Sequence, residues 1–496
     1  MDTSHVFATT PDPSLFTGMF PLTTQPAFLP PPAPGSTSSA PPFLIPDHIY
    51  RAVLDPKVPI AIAALYAITA KLLNKYNIST GRKPWAMSKT RLFHAFVVVH
   101  NVFLAVYSAW TFYGMVGVMR RSVVNPMGPQ GLNGFVDSMT KLHGPGGLGN
   151  AVFYNELDGQ WMSYSNNVTL ASDGTPSRTD MGRIWNEGLA FYGWIFYLSK
   201  FYEVLDTFII LAKGKLSSTL QTYHHAGAMM CMWAGMRYMS APIWMFAFVN
   251  SGIHALMYTY YTLSAFYIRV PVLVKRTLTS LQITQFLIGA SYAMIHSFIS
   301  YDVPVATTIV RTSTAPGGEA TAAIGTDAAD STAPAFLDSL KQLVLGVASK
   351  VTTPVVTDEV SPAANVGAVQ STYEETIYTD KVIPCITTTG QTFAIWLNVL
   401  YLAPLTYLFV KFFITSYLKR SSVESTRKGK HPHESHVAVA EKAGWDAAQG
   451  LQQEVYGTPE NTSRHVNGTA SNGKVNGSPN GRVLKSVTNQ RHSRHA

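Results

Sequence analysis

Long uncharged stretches are the feature that most limits how this chain can fold. Runs of about 20 mainly apolar residues, the length needed to cross a bilayer, fall at about 57–75, 92–116, 186–211, 218–236, 241–264, 279–299 and 391–415. Charged residues make up only 13% of the 496 residues, and they collect between and beyond these runs. An ordinary soluble protein is nearer a quarter charged. The pattern predicts an all-α, multi-pass membrane protein with seven transmembrane helices.

Together with the composition of the segments outside them, these runs divide the chain into four predicted regions. Residues 1–50 are rich in Pro, Thr and Ser, which is typical of a disordered arm. Residues 51–300 and 388–420 form the predicted seven-helix domain. Residues 301–387 form a low-complexity insertion between the last two spans, and residues 421–496 form a disordered basic tail.

The distribution of Lys and Arg predicts the orientation in the membrane. The connection at 71–91 carries six Lys and Arg residues and no acid, and the C-terminal tail is also basic. Since basic loops stay cytosolic, the C-terminus is predicted on the cytosolic side and the N-terminus on the opposite side. Asn167 begins a glycosylation sequon on that opposite side. The net charge of +9 follows from this loop bias, and nucleic acid is excluded as a partner because no basic stripe alternates with aromatics.

Four consecutive predicted spans carry polar side chains at helical spacing. Polar groups in hydrocarbon are costly, so the four stripes predict one shared polar pocket inside a helical bundle. The third span has a second interpretation, in which its charges form a cluster at the membrane interface. The fourth span also has one, in which its two histidines are hydrogen-bonded to a neighbouring helix. The stripes consist of Lys200, Glu203, Asp206 and Thr207 in the third span, Gln221, His224 and His225 in the fourth, Asn250, His254, Tyr258 and Tyr261 in the fifth, and Thr279, Gln282 and Gln285 in the sixth.

The predicted pocket would contain bases, acids, amides and a cation. It includes no set of ligands typical of a metal site, and we expect no metal. The chain has two cysteines, Cys231 and Cys385, which is too few for a disulfide framework or a cysteine-based metal site.

The motifs KFYEVLDT (200–207), QTYHH (221–225), NSGIHALMYTYY (250–261) and TSLQITQF (279–286) together carry a family resemblance. They resemble the signature motifs of the ELO family of fatty-acid elongases, the very-long-chain 3-oxoacyl-CoA synthases. The resemblance implies an enzyme of the endoplasmic reticulum that condenses a long-chain acyl-CoA with malonyl-CoA. It also implies a helical barrel around an acyl-chain pocket, no cofactor beyond the substrates, and a ketoreductase, a dehydratase and an enoyl reductase as partners in the cycle.

One position departs from the family pattern. The histidine motif of the family usually begins with His, whereas this chain has Gln221 there. Such Gln variants resemble elongases that act on polyunsaturated chains. The resemblance therefore favours a polyunsaturated or very-long-chain substrate, and it puts in doubt any mechanism that needs three histidines.

The residue types predict roles for the condensation. An imidazole is a nucleophile or general base near neutral pH, so His224 and His225 are predicted as the centre. Gln221 and Asn250 would donate hydrogen bonds to developing oxyanions. The remaining candidates are Asp206 and Glu203 to orient the imidazoles, Lys200 to meet phosphate or the malonyl carboxylate, and His254, Tyr258, Tyr261, Thr279, Gln282 and Gln285 to bind substrate.

Cys231 is a second candidate nucleophile, because it lies seven residues, or two helical turns, beyond His224.

Other classes of protein account for part of the sequence. A membrane desaturase would need further histidines at HxxxH spacing, which this chain lacks. A seven-span receptor or transporter would explain the topology, although not four motifs of acid, base and amide. The oligomeric state is left open, with a homo-oligomer among the alternatives.

Overall fold

The structure is a computed structural model that describes residues 5–16, 25–166, 168–314 and 370–414. Asn167, the tail at 421–496 and the middle of the insertion, residues 315–369, lie outside the described residues. The predictions made for them are therefore not addressed by the structure.

The first helices are a short α1 (Asp47–Val53), followed by α2 (Lys57–Ser79) and α3 (Arg91–Ser122). The hydroxyl of Thr90 caps α3 by accepting a hydrogen bond from the Phe93 amide, which satisfies one of the free N–H groups at a helix start. A long connection follows, with α4 (Gly131–Thr140) and the hairpin of β2 (Val152–Asn155) and β3 (Gln160–Ser163).

The third predicted span is built from three consecutive helical pieces. A π-helical turn at Trp185–Leu189 leads into α5 (Ala190–Tyr202), and α6 (Val204–Ala212) follows after a break at Glu203. The fourth span is α7 (Thr219–Arg237), whose start is capped by the Ser218 hydroxyl.

The fifth predicted span also contains a π-helical turn. It consists of α8 (Ile243–Met245), the π turn Phe246–Asn250 and α9 (Ser251–Ala265). The sixth span is α10 (Val272–Ile295) and the seventh is α11 (Thr389–Phe413). In packing, α3 lies against α9, α10 lies against α11, and α7 contacts α2, α5 and α11.

All seven predicted segments are thus helical, and the predicted all-α membrane architecture is confirmed in its mainly helical character. Among the described residues, three helices are long and apolar enough by themselves to cross a membrane, namely α2, α3 and α11. The other four segments are interrupted or carry the polar stripes, and the count of seven spans stays a prediction.

The N-terminal arm differs from the disordered segment that its composition predicts. Within residues 25–46, Leu29 and Ile45 are buried in the main hydrophobic core. The carbonyl of Leu29 accepts a hydrogen bond from Trp185 Nε1 at 3.0 Å, and that of Pro26 accepts one from Arg237 at 3.1 Å. The proline-rich backbone is therefore held by side chains that satisfy its carbonyl groups, which composition alone cannot reveal.

The two ends of the 301–387 insertion also have regular structure. The strands β4 (Ile299–Thr314) and β5 (Gln370–Pro384) pair antiparallel, from Ser300 opposite Pro384 to Thr314 opposite Gln370. On the other edge of β4, the short β1 (Val6–Ala8) pairs with residues 299–301. The low-complexity composition of the insertion did not indicate these strands, which are rich in the β-branched and aromatic residues that favour them.

A buried polar cluster joins this sheet to the connection between α3 and α5. Arg183 Nη2 lies 2.7 Å from Asp137 Oδ2, and the hydroxyl of Tyr301 donates to the other oxygen of Asp137 at 2.7 Å. Beside it, Lys141 donates to the carbonyl of Pro384 at 2.7 Å. His143 packs between the rings of Trp161 and Trp185. These contacts hold the sheet against the connection between α3 and α5.

Candidate functional site

An internal cavity lies among α5, α7, the α8–α9 segment, α10 and α11. The space between these segments, including its part open to the outside, is about 550 Å³. It is lined by Phe196, Lys200, His224, Ala228, Cys231, Met232, Met245, Phe246, Val249, Asn250, Gln285, Phe286, Gly289, Asn398, Tyr401 and Leu402. Five separate segments of the chain therefore line one shared space, to which each of the four predicted polar stripes contributes a residue.

The polar lining residues gather at one level of the cavity. Four of the five segments place a polar residue there and apolar residues about one or two turns away along the helix, whereas α11 contributes Asn398 one turn from Tyr401. On α7, for example, Met232 lies eight residues beyond His224, a rise of about 12 Å. The cavity therefore has a polar end and an apolar end. The polar end consists of Lys200, His224, Asn250, Gln285 and Tyr401.

A buried ion pair lies at the polar end. Lys200 Nζ is 2.7 Å from Glu203 Oε1, and the two side chains are only 4% and 2% exposed. The same carboxylate oxygen accepts from the Ser199 hydroxyl at 2.9 Å and lies 3.5 Å from Nδ1 of His254. Buried charges need such partners to be tolerated. The ammonium is therefore held in place beside the cavity.

Two amides extend this cluster across to α10. Lys200 Nζ donates to Asn250 Oδ1 at 3.4 Å, and Asn250 Nδ2 donates to Gln285 Oε1 at 3.2 Å. The chain Glu203–Lys200–Asn250–Gln285 thus connects three of the four predicted stripes along the cavity wall.

Asp206 belongs to a second polar cluster. Its Oδ1 lies 2.7 Å from Nε2 of His100, and its Oδ2 accepts a hydrogen bond from the Tyr258 hydroxyl at 2.6 Å. All three side chains are buried. Because the helix is broken at Glu203, Lys200 and Asp206 do not continue one stripe: Lys200 lines the cavity, whereas Asp206 contacts α3 and α9.

The three polar residues at the start of α7 point to different neighbours. His224 lines the cavity, and its Nδ1 lies 3.0 Å from the Tyr401 hydroxyl. The ring of His225 is 5.5 Å from that of His224 and meets the edge of Tyr66 on α2. Gln221 Nε2 donates to Thr207 Oγ1 at 3.1 Å, and that oxygen is also 2.8 Å from the Tyr66 hydroxyl.

The remaining predicted site residues are not among the cavity-lining residues. Thr279 donates to the backbone carbonyl of Lys275 within its own helix. Gln282 Nε2 lies 3.3 Å from the sulfur of Met257. Tyr261 is buried in a cluster of tyrosines and apolar residues with Tyr258. The structure therefore brings together part of the predicted set and places the rest in the walls between helices.

Some residues of the site were missed by the sequence analysis. Asn398 and Tyr401 are spaced by three residues in the seventh span, a weak signal for a fifth polar stripe. His100, next to Asn101, is the polar interruption of the second span. The aromatic and methionine side chains of the apolar end, such as Phe196 and Met245, carry no signal that separates them from ordinary core residues.

These features define the class as a mainly helical membrane domain with a cavity that is polar at one end and apolar at the other. Within that class the chain belongs to the ELO: GNS1/SUR4 family, whose model matches residues 52–425. The chain is thus a membrane protein, and the resemblance to elongases seen in the four motifs is confirmed.

Individual relatives are similar over shorter stretches. The human protein named very long chain fatty acid elongase 3 is 35% identical over 105 residues, 21% of this chain and 39% of the relative. Fatty acid elongase 2 of Trypanosoma brucei brucei is 28% identical over 127 residues, 25% of this chain and 46% of the relative. Fatty acid elongase sre1 of Dictyostelium discoideum is 36% identical over 116 residues, 23% of this chain and 41% of the relative. In each case the match spans less than half of the relative's length, and no solved structure matches the chain.

Proposed function

We propose that the protein is a fatty-acid elongase that condenses a long-chain acyl-CoA with malonyl-CoA to give a 3-oxoacyl-CoA, CO2 and CoA. The observation that carries the proposal is the cavity, which has His224 and Lys200 at one end and mainly apolar side chains at the other. Membership of the ELO family and relatives named as fatty acid elongases support the same activity. Nothing among them favours the transporter or receptor alternative.

His224 is the residue best placed to start the reaction. In the proposed first step its Nε2 attacks the thioester carbonyl carbon, the C–S bond breaks, and CoA leaves as a thiolate that takes up a proton. Malonyl-CoA then loses CO2, and the electron pair of the broken C–C bond forms an enolate. The enolate carbon attacks the acyl carbon, the C–N bond breaks, and its electron pair returns to Nε2. If His224 instead acts as a base, the same groups would position a direct condensation.

The groups around His224 can stabilise the negative charge that develops. Lys200 presents a buried ammonium at the polar end, and Asn250 presents an amide beside it. A preorganised donor near a developing oxyanion contributes about 3 kcal/mol in other enzymes. We assign Lys200 and Asn250 to the enolate or to the thioester oxygen, and Glu203 to holding Lys200. His225, one residue from His224, is assigned to orienting it.

Gln221 takes a different role from the oxyanion donor that its position in the motif predicted. Its amide nitrogen is directed to Thr207, so we propose that it fixes the start of α7 against α6. His254 and Tyr258 act in the same way, as supports for Glu203 and Asp206.

The apolar end would accept the acyl chain. Its lining of Phe, Met and Gly residues suits a flexible hydrocarbon, and we propose a polyunsaturated or very-long-chain substrate. The reaction would take place in the endoplasmic reticulum membrane, with the C-terminus cytosolic. The 3-oxo product must then be reduced, dehydrated and reduced again, which requires a ketoreductase, a dehydratase and an enoyl reductase.

Labelled malonyl-CoA tests the proposal directly. Membranes that contain the protein would be supplied with saturated, monounsaturated and polyunsaturated acyl-CoAs. A product two carbons longer from a subset of them is the expected result and would define the substrate class. No incorporation by folded protein with any acyl-CoA would contradict the proposal.

Variants of His224, His225 and Cys231 then separate the roles of the three residues. His224→Ala and His225→Ala should abolish incorporation in protein that remains folded, and near-normal turnover in either would contradict its assignment. Cys231→Ser should retain turnover, because the thiol lies beside the apolar lining two turns from the polar end. Loss of activity in that variant would instead favour Cys231 as the nucleophile.

A further inference from the structure

The contact between His224 and Tyr401 contains two hydrogen bonds that involve one hydroxyl group. The Tyr401 oxygen lies 3.0 Å from Nδ1 of His224 and 2.9 Å from the backbone carbonyl oxygen of the same residue. Tyr401 is buried on α11, opposite α7. Both contacts are within normal hydrogen-bond length.

The proton count of these groups decides which atom donates in each bond. A phenol has a single proton, and a carbonyl oxygen can only accept. The Tyr401 proton must therefore point to the carbonyl of His224, since otherwise two acceptor oxygens would face each other at 2.9 Å. The second bond can then form only if Nδ1 of His224 carries a proton and donates it to the phenol oxygen.

We infer that Tyr401 is a positioning residue that holds neutral His224 in the tautomer protonated at Nδ1. In this tautomer Nε2 carries the free electron pair. The inference rests on the proposed function, because that electron pair is the one that would attack the thioester carbon or remove a proton. The alternative tautomer would present an N–H at Nε2 and could do neither.

The surroundings of Tyr401 keep the phenol in this position. The Tyr223 ring stacks on the Tyr401 ring at 5.4 Å, and the Tyr223 hydroxyl donates to the backbone carbonyl of Tyr401 at 3.2 Å. On α7, Gly227 faces the Tyr401 ring so closely that a Cβ there would lie 2.1 Å from it. The ring is thus confined on two sides, and its hydroxyl has little freedom to leave His224.

Tyr223 supplies a matched control for the test. Tyr223→Phe and Tyr401→Phe each remove one hydroxyl from the same stacked pair, yet only the second removes the partner of Nδ1. We expect Tyr401→Phe to lower kcat by at least tenfold with little change in KM for acyl-CoA, and Tyr223→Phe to retain kcat within about twofold. Equal loss in both variants would mean that the pair is merely structural, and full activity of Tyr401→Phe would overturn the inference.

A spectroscopic measurement makes the result independent of turnover. Protein labelled with 15N-histidine in lipid can be compared with a His224→Gln sample, so that the His224 ring signals are assigned by difference in solid-state NMR. The inference requires a protonated Nδ1 and an unprotonated Nε2 in the wild type and in Tyr223→Phe, with loss of this single form in Tyr401→Phe. A wild-type signal protonated at Nε2 would refute it, even if the protein is an elongase. Absence of elongation with the expected tautomer would contradict the proposed function alone.

Discussion

Nε2 of His100 lies 2.7 Å from Oδ1 of Asp206, and both side chains are almost completely buried. The contact joins α3 to α6, two segments separated by 106 positions in the sequence. Replacing His100 by Ala would leave the buried carboxylate with the Tyr258 hydroxyl as its remaining described partner. Leaving a buried acceptor without one of its hydrogen-bond partners costs about 1–3 kcal/mol, and more for a charged group, so we expect a loss of about 3 kcal/mol in the free energy of unfolding.

Denaturant unfolding in detergent micelles would measure this loss. The neighbouring Asn101 is a matched control, because it is equally buried and its side-chain amide has no hydrogen-bond partner within the described ranges. Asn101→Ala should therefore cost clearly less than His100→Ala. Equal costs for the two variants would show that the His100–Asp206 contact contributes little.

The two buried charges of Lys200 and Glu203 should contribute to the free energy of unfolding as a pair. Lys200→Met leaves the Glu203 carboxylate without its cation, and we expect it to destabilise the protein by about 3–5 kcal/mol. Lys200→Met combined with Glu203→Gln removes both charges and should recover part of that loss. Unfolding experiments on the single and double variants would measure the recovery.

Turnover should behave differently from stability in the same variants. If the Lys200 ammonium stabilises the enolate, the double variant will be stable and inactive. A stable double variant with normal elongation would remove Lys200 from the proposed mechanism, while leaving its structural role intact.

Gly289 should control how long an acyl chain the cavity accepts. A Cβ at this position would lie 2.8 Å from the Phe246 ring, and both residues line the apolar part of the cavity. We expect Gly289→Ala to displace the ring and to shift the preferred acyl-CoA to shorter chains. Product chain lengths from a series of acyl-CoAs would measure the shift.

Gly252→Ala is the control for this substitution. Its Cβ would meet the Phe112 ring at 2.9 Å, a comparable contact outside the cavity lining. It should change stability to a similar extent without changing the product distribution. The same shift in both variants would contradict a specific role for Gly289.

His143 should make stability depend on pH. Burial lowers the pKa of this histidine from 6.5 to about 3. Between these values the unfolded chain binds a proton that the folded protein does not, so the contribution is complete above pH 6.5 and is lost as the pH falls. The expected slope is about 1.4 kcal/mol per pH unit below pH 6.

A comparison with His143→Phe isolates this effect from other titrating groups. Phenylalanine preserves an aromatic ring between Trp161 and Trp185 but cannot bind a proton. The difference in unfolding free energy between the two proteins should therefore fall steadily from pH 6.5 to pH 4. A constant difference would show that His143 does not titrate on unfolding.

The sequence was sufficient to predict the helical segments and much of the polar end. Apolar length indicated the seven helical segments, and helical spacing singled out Lys200, His224, Asn250 and Gln285, which line one cavity in the structure. These features depend on local sequence, which is why they could be predicted. The pairing of β4 with β5 was not predicted, because it joins residues at the two ends of a long insertion.

Spacing alone could not predict which neighbouring helix each residue of a motif contacts. Helical periodicity treated Lys200 and Asp206 as one stripe, whereas the break at Glu203 directs them to different neighbours. Gln221 and His224 likewise share a helix, but α6 binds the first and α11 the second. Which helix packs on which face is a property of the tertiary structure.

The π turn at Phe246–Asn250 affects how the chain-length preference of such a protein can change. Met245 and Asn250 are five residues apart and would be about 140° apart on an α-helix, yet both line the cavity. The π turn therefore rotates the residues before it relative to those after it, so that Met245 and Asn250 face the same cavity. Substitutions at Met245 and Phe246 can change the volume of the apolar end, whereas Asn250, the last residue of the turn, lies at the polar end. Chain-length preference and chemistry are thereby separable along a single segment.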